Sequence, residues 1–283
     1  MHELFKSEEL KEQYLKTRSP IALSLAKVKH KVAILSGKGG VGKTSVVVNL
    51  AAILANLGNR VGILDADVHG PNVPKMLGIK ETTDLHGSMF LHPVKSKYGP
   101  KVMSVALFWP GDYTPVMWKG QHKARMIRQL LGGVRWGELD YLLVDLPPGT
   151  GDEPLTVMKS IPELDGVIIV TTPQEVSAVV CGKAVNCAKE LGVSVLGIIE
   201  NMSSFVCPHC GRPVAPYEGN QGEELARIFQ VPFLGRIPFD PDVSKFHDEG
   251  IPVVVAAPGK PVASSFQKCA INLLEMLNNR KDG

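Results

Sequence analysis

Eight residues near the start of the chain have the types and spacing to hold phosphate. Gly37-Lys38-Gly39-Gly40-Val41-Gly42-Lys43-Thr44 fits the pattern G-x-x-x-x-G-K-[ST]. The apolar run Val32–Leu35 precedes it and a helix-compatible stretch from Lys43 to about Leu57 follows. That strand–loop–helix setting is the one the pattern needs. Glycines let successive backbone N–H groups turn into one concavity, at a helix N-terminus whose dipole favours anions. The stretch Gly39, Gly40, Val41, Gly42, Lys43, Thr44 and Ser45 is therefore expected to bind a nucleotide. Lys43 would reach the β- and γ-phosphates, and the Thr44 hydroxyl would ligate Mg²⁺. A glycine-rich turn with a surface lysine is the competing reading. Lys38 is an extra cation that this chemistry does not require.

Three carboxylate sites lie at or beyond the C-terminal ends of apolar runs, where ligands bind in open α/β sheets. Asp65 and Asp67 follow the run ending at Leu64. Asp145 follows Leu143-Val144, a hydrophobic-strand-then-Asp pattern that suits Mg²⁺ held through water. Asp152 closes Asp145-Leu-Pro-Pro-Gly-Thr-Gly-Asp152, a loop whose composition suits movement with a γ-phosphate. Helix capping is the competing role for these aspartates, above all for Asp152 ahead of Glu153-Pro154.

Cys207-Pro208-His209-Cys210 sits in a turn-rich loop after the run Val195–Ile199. A C-x-x-C pair aims two thiolates at one metal, and soft thiolates select zinc or iron–sulfur iron. Two ligands complete neither a tetrahedral zinc site nor a cubane cluster, each of which needs about four. Cys181, Cys187 and Cys269 are read as small buried apolar residues, and His209 as solvated rather than a third ligand. A two-fold dimer in which each subunit contributes Cys207 and Cys210 is the economical completion. A redox pair is the alternative, although no thioredoxin-like setting surrounds these cysteines.

The elements that must position these groups follow from the rest of the chain. Short continuous apolar runs at 32–35, 61–64, 141–144, 167–170 and 195–199 alternate with helical stretches. This predicts an α/β fold, a mostly parallel sheet with helices on both faces. Phe90–Val94 and Val102–Leu107 predict a hairpin at one edge, and Val262–Leu277 a C-terminal helix. Residues 1–29 are expected to form an N-terminal helical arm, and 30–283 a single domain. The 283 residues carry a net charge of +3, with 44% apolar and 21% charged residues. That balance argues against disorder and against a wholesale nucleic-acid binder. No apolar run approaches a bilayer span. The absence of an apolar leader and the odd count of five cysteines predict a cytoplasmic protein without a disulfide framework.

The motifs together resemble one family. Lys38-Gly-Gly-Val-Gly-Lys43-Thr is similar to the deviant P-loop (deviant Walker A) of the MinD/ParA/nitrogenase-iron-protein class. Within that class, Asp65-Ala-Asp-Val-His-Gly-Pro-Asn-Val-Pro74, Asp145–Asp152, Glu200-Asn-Met202 and the Cys-Pro-x-Cys loop resemble the Mrp (ApbC-like) iron–sulfur cluster carrier ATPases. The likeness spans roughly His30 to Leu277. It implies a homodimer with ATP bound between subunits, Lys38 reaching the phosphates of the partner's nucleotide. It implies that Asp67 positions the attacking water. The Asp65–Asp67 and Asp145–Asp152 segments would be switches, and Asn201 and Pro238–Asp242 would contact adenine. A labile 4Fe–4S cluster would bridge the two Cys207/Cys210 pairs and pass to apo iron–sulfur proteins, with no nucleic acid or membrane partner. The N-terminal domain of many bacterial members, and the N-terminal four-cysteine cluster of some archaeal and eukaryotic ones, have no counterpart here. The alternatives are a MinD/ParA-like ATP-dependent positioning switch and a zinc-bridged structural dimer.

Overall fold

The computed structural model describes residues 20–83, 90–108, 120–207, 210, 212–214 and 220–279. The first part of the expected N-terminal arm, residues 1–19, and His209 lie outside the described residues. The chain runs α1 (Pro20–Leu25), β1 (Val28–Ser36), α2 (Lys43–Asn56), β2 (Val61–Asp65), α3 (Val73–Met76), β3 (Val94–Lys95) and β4 (Lys101–Ser104). A 3₁₀ turn (Val105–Phe108) leads to α4 (Gly120–Gly132), β5 (Leu139–Asp145), α5 (Asp152–Ser160), β6 (Gly166–Thr171), α6 (Glu175–Glu190) and β7 (Val195–Val206). The last elements are β8 (Pro213–Val214), α7 (Gln221–Phe229), β9 (Phe233–Phe239), α8 (Pro241–Asp248), α9 (Val253–Ala256) and α10 (Pro261–Asn279).

Among the described residues nine strands form one sheet, ordered β3-β4-β2-β5-β1-β6-β7-β8, with β9 also beside β7. The β3–β4 and β7–β8 pairs are antiparallel and the others parallel. Strands β2, β5 and β6 are buried along almost their whole length. Helices cover both faces, which is why these strands are continuous apolar runs rather than alternating ones. Successive residues feed opposite cores. Leu142 joins Trp136, Leu130 and Cys181 on one face, while Leu143 joins Leu50, Phe266 and Leu273 on the other. Helix α2 lies between the sheet and α10 and is buried from Ser45 to Leu54, so it carries no polar stripe.

The expected edge hairpin exists but is shorter. Pro93 cannot donate to a ladder, so β3 starts only at Val94, while Leu91 bridges to Val134 instead. The expected domain boundary at residue 30 falls inside β1, which starts at Val28. Ahead of it, Leu25 is 1% exposed within the main core, and the Ser24 hydroxyl donates to the Val134 carbonyl at 2.6 Å. Among the described residues no helix is long and apolar enough to cross a membrane. A Leu25→Ala substitution is expected to cost about 2–5 kcal/mol, the range for truncating a buried leucine. Urea unfolding measures it, and a cost near zero would place α1 outside the cooperative unit.

Candidate nucleotide site and thiol hairpin

Strand β1 ends at Ser36, and the chain turns through residues 37–42 into α2. Two glycines fix that turn. A Cβ at Gly37 would lie 2.8 Å from the Val180 backbone, so only glycine lets the loop rest on α6. Gly42 adopts φ +80°, and a Cβ there would lie 2.3 Å from Asn201 Nδ2. Asn201 uses this closeness: its Nδ2 donates to the Val41 carbonyl at 2.9 Å. The residue expected to meet adenine therefore also holds the loop.

Beneath the loop sit two fully buried carboxylates. Asp65 and Asp145 are register partners on β2 and β5. Lys43 Nζ pairs with Asp145 Oδ1, and the Thr44 hydroxyl donates to Asp145 Oδ2 at 2.7 Å. Asp65 accepts from the Ser104 hydroxyl at 3.0 Å and from the Asp67 N–H at 3.2 Å. Burial pushes the Asp65 carboxyl well above its usual range, and the Asp145 charge adds to this. Burial raises Asp145 too, against the opposing pull of Lys43. The Thr44 hydroxyl and two buried carboxylates form an oxygen donor set that fits Mg²⁺, and Lys43 offsets only one of the two negative charges.

Asp67 is half-buried, and its Oδ1 accepts the N–H groups of His69 and Gly70 at 3.2 Å each, which shapes the loop after β2. His69 Nε2 lies 3.4 Å from Glu153 on α5, so the two carboxylate loops touch. Asp152 does not cap α5. Gly151 holds the cap position, and Asp152 and Glu153 occupy the first turn, where the helix dipole favours them. Lys38 reaches the start of α6, its Nζ donating to Gln174 Oε1 at 2.6 Å.

Beside the loop, Gly42 and Ser45 open into a cleft of about 210 Å³ whose walls include Asn201, Met202, Pro238, Phe239 and His247. Its mostly apolar walls suit a flat heterocycle. A larger depression, about 670 Å³ against α7, includes none of the phosphate-loop residues and none of Asp65, Asp67 and Asp145. Asn49 ties the cleft to α2: it donates to the Ser45 carbonyl at 2.9 Å and accepts from the Val254 N–H at 3.2 Å. That fixes its amide, so Nδ2 faces His247 Nε2 at 3.3 Å, which must accept and hence be neutral. Burial holds His247 below its ordinary value.

The two thiols lie on the β7–β8 hairpin, which the Cys207 N–H closes by donating to the Arg212 carbonyl at 2.9 Å. Cys207 is half-buried and Cys210 exposed, and none of the five cysteines is in a disulfide. Among the described residues no group of three or more His, Cys, Asp or Glu gathers to hold a metal ion. Cys181 and Cys269 are buried as expected, and burial pushes Cys269 up to about 12. Cys187 departs from that expectation: it is only half-buried, six residues along α6 and so off the face that Cys181 turns inward.

A family model described as ParA: NUBPL iron-transfer P-loop NTPase matches residues 27–274. The chain belongs to this family. An iron-sulfur cluster carrier protein from Methanocaldococcus jannaschii is 49% identical over 259 residues, covering 92% of this chain and 89% of that protein. An Arabidopsis thaliana iron-sulfur protein required for NADH dehydrogenase, mitochondrial, is 39% identical over 92% of this chain and 82% of its own length. Among solved structures, a nucleotide-binding protein from Archaeoglobus fulgidus in complex with ADP superposes with a TM-score of 0.73. It is 41% identical and covers 87% of this chain and 95% of its own. The cell division ATPase MinD of Pyrococcus furiosus shares the fold, with a TM-score of 0.64, 23% identity and coverage of 87% and 99%.

The structure brings Lys43, Thr44, Asp65, Asp67, Asp145, Asn201 and Pro238 around one loop, and leaves Cys207 and Cys210 apart at the end of β7. Sequence reasoning missed Ser104, whose only signal is its register opposite Asp65. It also missed Gln174, Asn49 and His247, which carry no motif.

Two outcomes follow. Gly42→Ala meets both a left-handed φ and Asn201, and should weaken nucleotide binding about tenfold or more, measured by calorimetry. His247 is depressed in the fold, so the unfolded chain takes up its proton first as pH drops below about 6.5. Its share of stability is whole above that value and is lost toward the lower folded-state value. Melting temperature should therefore fall between pH 7.5 and 5.5, and less steeply in His247→Gln.

Proposed function

We propose that the protein is an ATP-binding and ATP-hydrolysing carrier that holds a 4Fe–4S cluster at a homodimer interface and hands it to apo iron–sulfur proteins. One observation carries this reading: β7 bears both Asn201, hydrogen-bonded to the phosphate loop, and the thiol hairpin that begins at Cys207. Cys207 follows directly on the end of that strand, six residues after Asn201, a reach of at most about 20 Å. The named carrier relatives and the ADP-bound relative support the two halves of the proposal.

In this reading the N–H groups of Gly39 to Ser45 cradle the phosphates, and Lys43 exchanges Asp145 for the β- and γ-phosphate oxygens. Thr44 and Asp145, with Asp65 behind them, would hold Mg²⁺, which supplies charge neutralisation on those oxygens. Asp67 orients the water that attacks the γ-phosphorus, while the β–γ bridging oxygen leaves with ADP. Lys38 of each subunit steadies charge on the partner's nucleotide. The base occupies the cleft between Asn201 and Pro238. The carboxylate loops respond to the γ-phosphate and change the separation of the two hairpins. Each Cys207/Cys210 pair supplies two thiolates, so the dimer supplies the four that a cubane cluster needs. Transfer is ligand exchange: four cysteine–iron bonds break as four bonds to acceptor thiolates form, with no change in oxidation state. Such thiolates need a reducing compartment, and the cytoplasm provides one.

Anaerobic reconstitution tests the proposal. Wild type should hold about four iron and four sulfide per dimer. The double variant Cys207→Ala/Cys210→Ala should lose both while still binding ATP. Equal iron and sulfide in the two proteins would sink the carrier reading, and one zinc per dimer without sulfide would favour a zinc-bridged structural dimer.

A further inference from the structure

Lys38 is not loose in this structure. Its ammonium donates to Gln174 Oε1 at 2.6 Å, and both side chains are half-buried. The acceptor stands on a rigid base. Gln174 is the N-cap residue of α6, and its carbonyl accepts the N–H groups of Ser177 and Ala178 at 2.9 and 3.1 Å. The Thr172 and Ser177 hydroxyls, 2.8 Å apart, brace the same turn from within the core. The donor is fixed as well. Gly37 packs on the backbone of Val180 and Cys181, and the Ser36 hydroxyl donates to the Lys38 carbonyl at 3.0 Å. Two backbones are thus held at a spacing that one lysine and one glutamine side chain span.

We propose that Gln174 is a positioning residue that holds Lys38 within its own subunit and so sets the ATP concentration at which two subunits close. This rests on the reading of Lys38 as a group that serves the partner's nucleotide. The chemistry of the pair suits a releasable hold. An amide oxygen is a neutral acceptor and satisfies the ammonium without neutralising it. Phosphate oxygens are charged acceptors and bind an ammonium about twice as strongly. Lys38 therefore stays on Gln174 until a partner's phosphates are within reach, then exchanges one acceptor for the other. A carboxylate at the same place would compete with the phosphates as a charged acceptor, and a methyl group would not hold the lysine at all.

The test uses the full chain and reads ATP-dependent dimerisation by sedimentation, with steady-state ATP hydrolysis alongside. Q174A should lower the ATP concentration for half-maximal dimer about three- to tenfold, the net worth of one ordinary half-buried hydrogen bond. Q174N, one methylene too short to reach, should behave like Q174A. Q174E should raise that concentration by a similar factor. ATP binding to the monomer should be the same in all four proteins. Shifts in opposite directions distinguish a hold on Lys38 from a structural role, which would move every variant one way. K38A should abolish ATP-dependent dimerisation and silence Q174A in the double variant. If K38A blocks dimerisation but Q174A, Q174N and Q174E match wild type or shift together, the inference is overturned and the reading of Lys38 stands. If K38A dimerises and hydrolyses as wild type does, that reading fails and this inference fails with it.

Discussion

The site is organised by a charge imbalance that the fold buries on purpose of binding. Asp65 and Asp145 end adjacent strands and face water nowhere, and Lys43 is the cation paired between them and the loop. Two buried carboxylates beside one ammonium are costly unless further positive charge or a proton arrives. Both are held above their usual range by burial, which expresses that debt directly. A Mg²⁺–nucleotide complex would relieve it from both sides, cation toward the carboxylates and phosphate toward Lys43. The surrounding parts can be understood as what keeps the imbalance in place. Ser104 satisfies Asp65, Thr44 satisfies Asp145, and the Gly149 N–H donates to the Ser36 carbonyl at 2.8 Å to tie the loop after β5 to β1.

From that centre the sheet leads outward in one direction. Asn201 touches the phosphate loop, and the same strand continues to the hairpin of Cys207 and Cys210. The strand is not uniform. Met202 has φ +58°, and the pairing of β7 with β9 shifts register between Asn201 and Phe205. A left-handed residue in a strand is strained. It sits between Asn201 and the hairpin of the two cysteines. The Glu200 carboxylate, buried two residues earlier, accepts from the Gly222 N–H at 2.6 Å and from Arg236 at 3.1 Å. That anchors the strand to α7 and β9 ahead of the irregular stretch, and Phe205 resumes the pairing with β9 at Phe239.

Much of this was legible in the residues alone, for physical reasons. The loop is legible because glycine spacing and a lysine are what a phosphate nest requires, whatever surrounds it. The parallel sheet is legible because a strand covered on both faces must be a continuous apolar run, as β2 is up to Leu64 and β6 up to Val170. Asp65 and Asp145 are legible because each directly follows such a run. Ser104, Asn49 and His247 were not, because their roles come from register or packing between segments far apart in sequence: Asn49 meets Val254, and Ser104 meets Asp65. Gln174 was hidden for the same reason, 136 residues from the lysine it touches. The edge hairpin was overestimated because apolar content pointed to long strands while Pro93 limited one of them.

The place of β1 has a consequence for how the protein is made. This strand is first in the sequence among those described yet lies between β5 and β6 in the sheet. Its first neighbour is complete only when the ribosome has reached Asp145, and its second only at Thr171. At about 5–20 residues per second, the phosphate loop waits roughly 6–25 s after its own synthesis before its strand is paired on both sides. The thiol hairpin emerges later still. A nascent chain therefore has β1 and the loop after it paired on both sides only shortly before Cys207 and Cys210 are made.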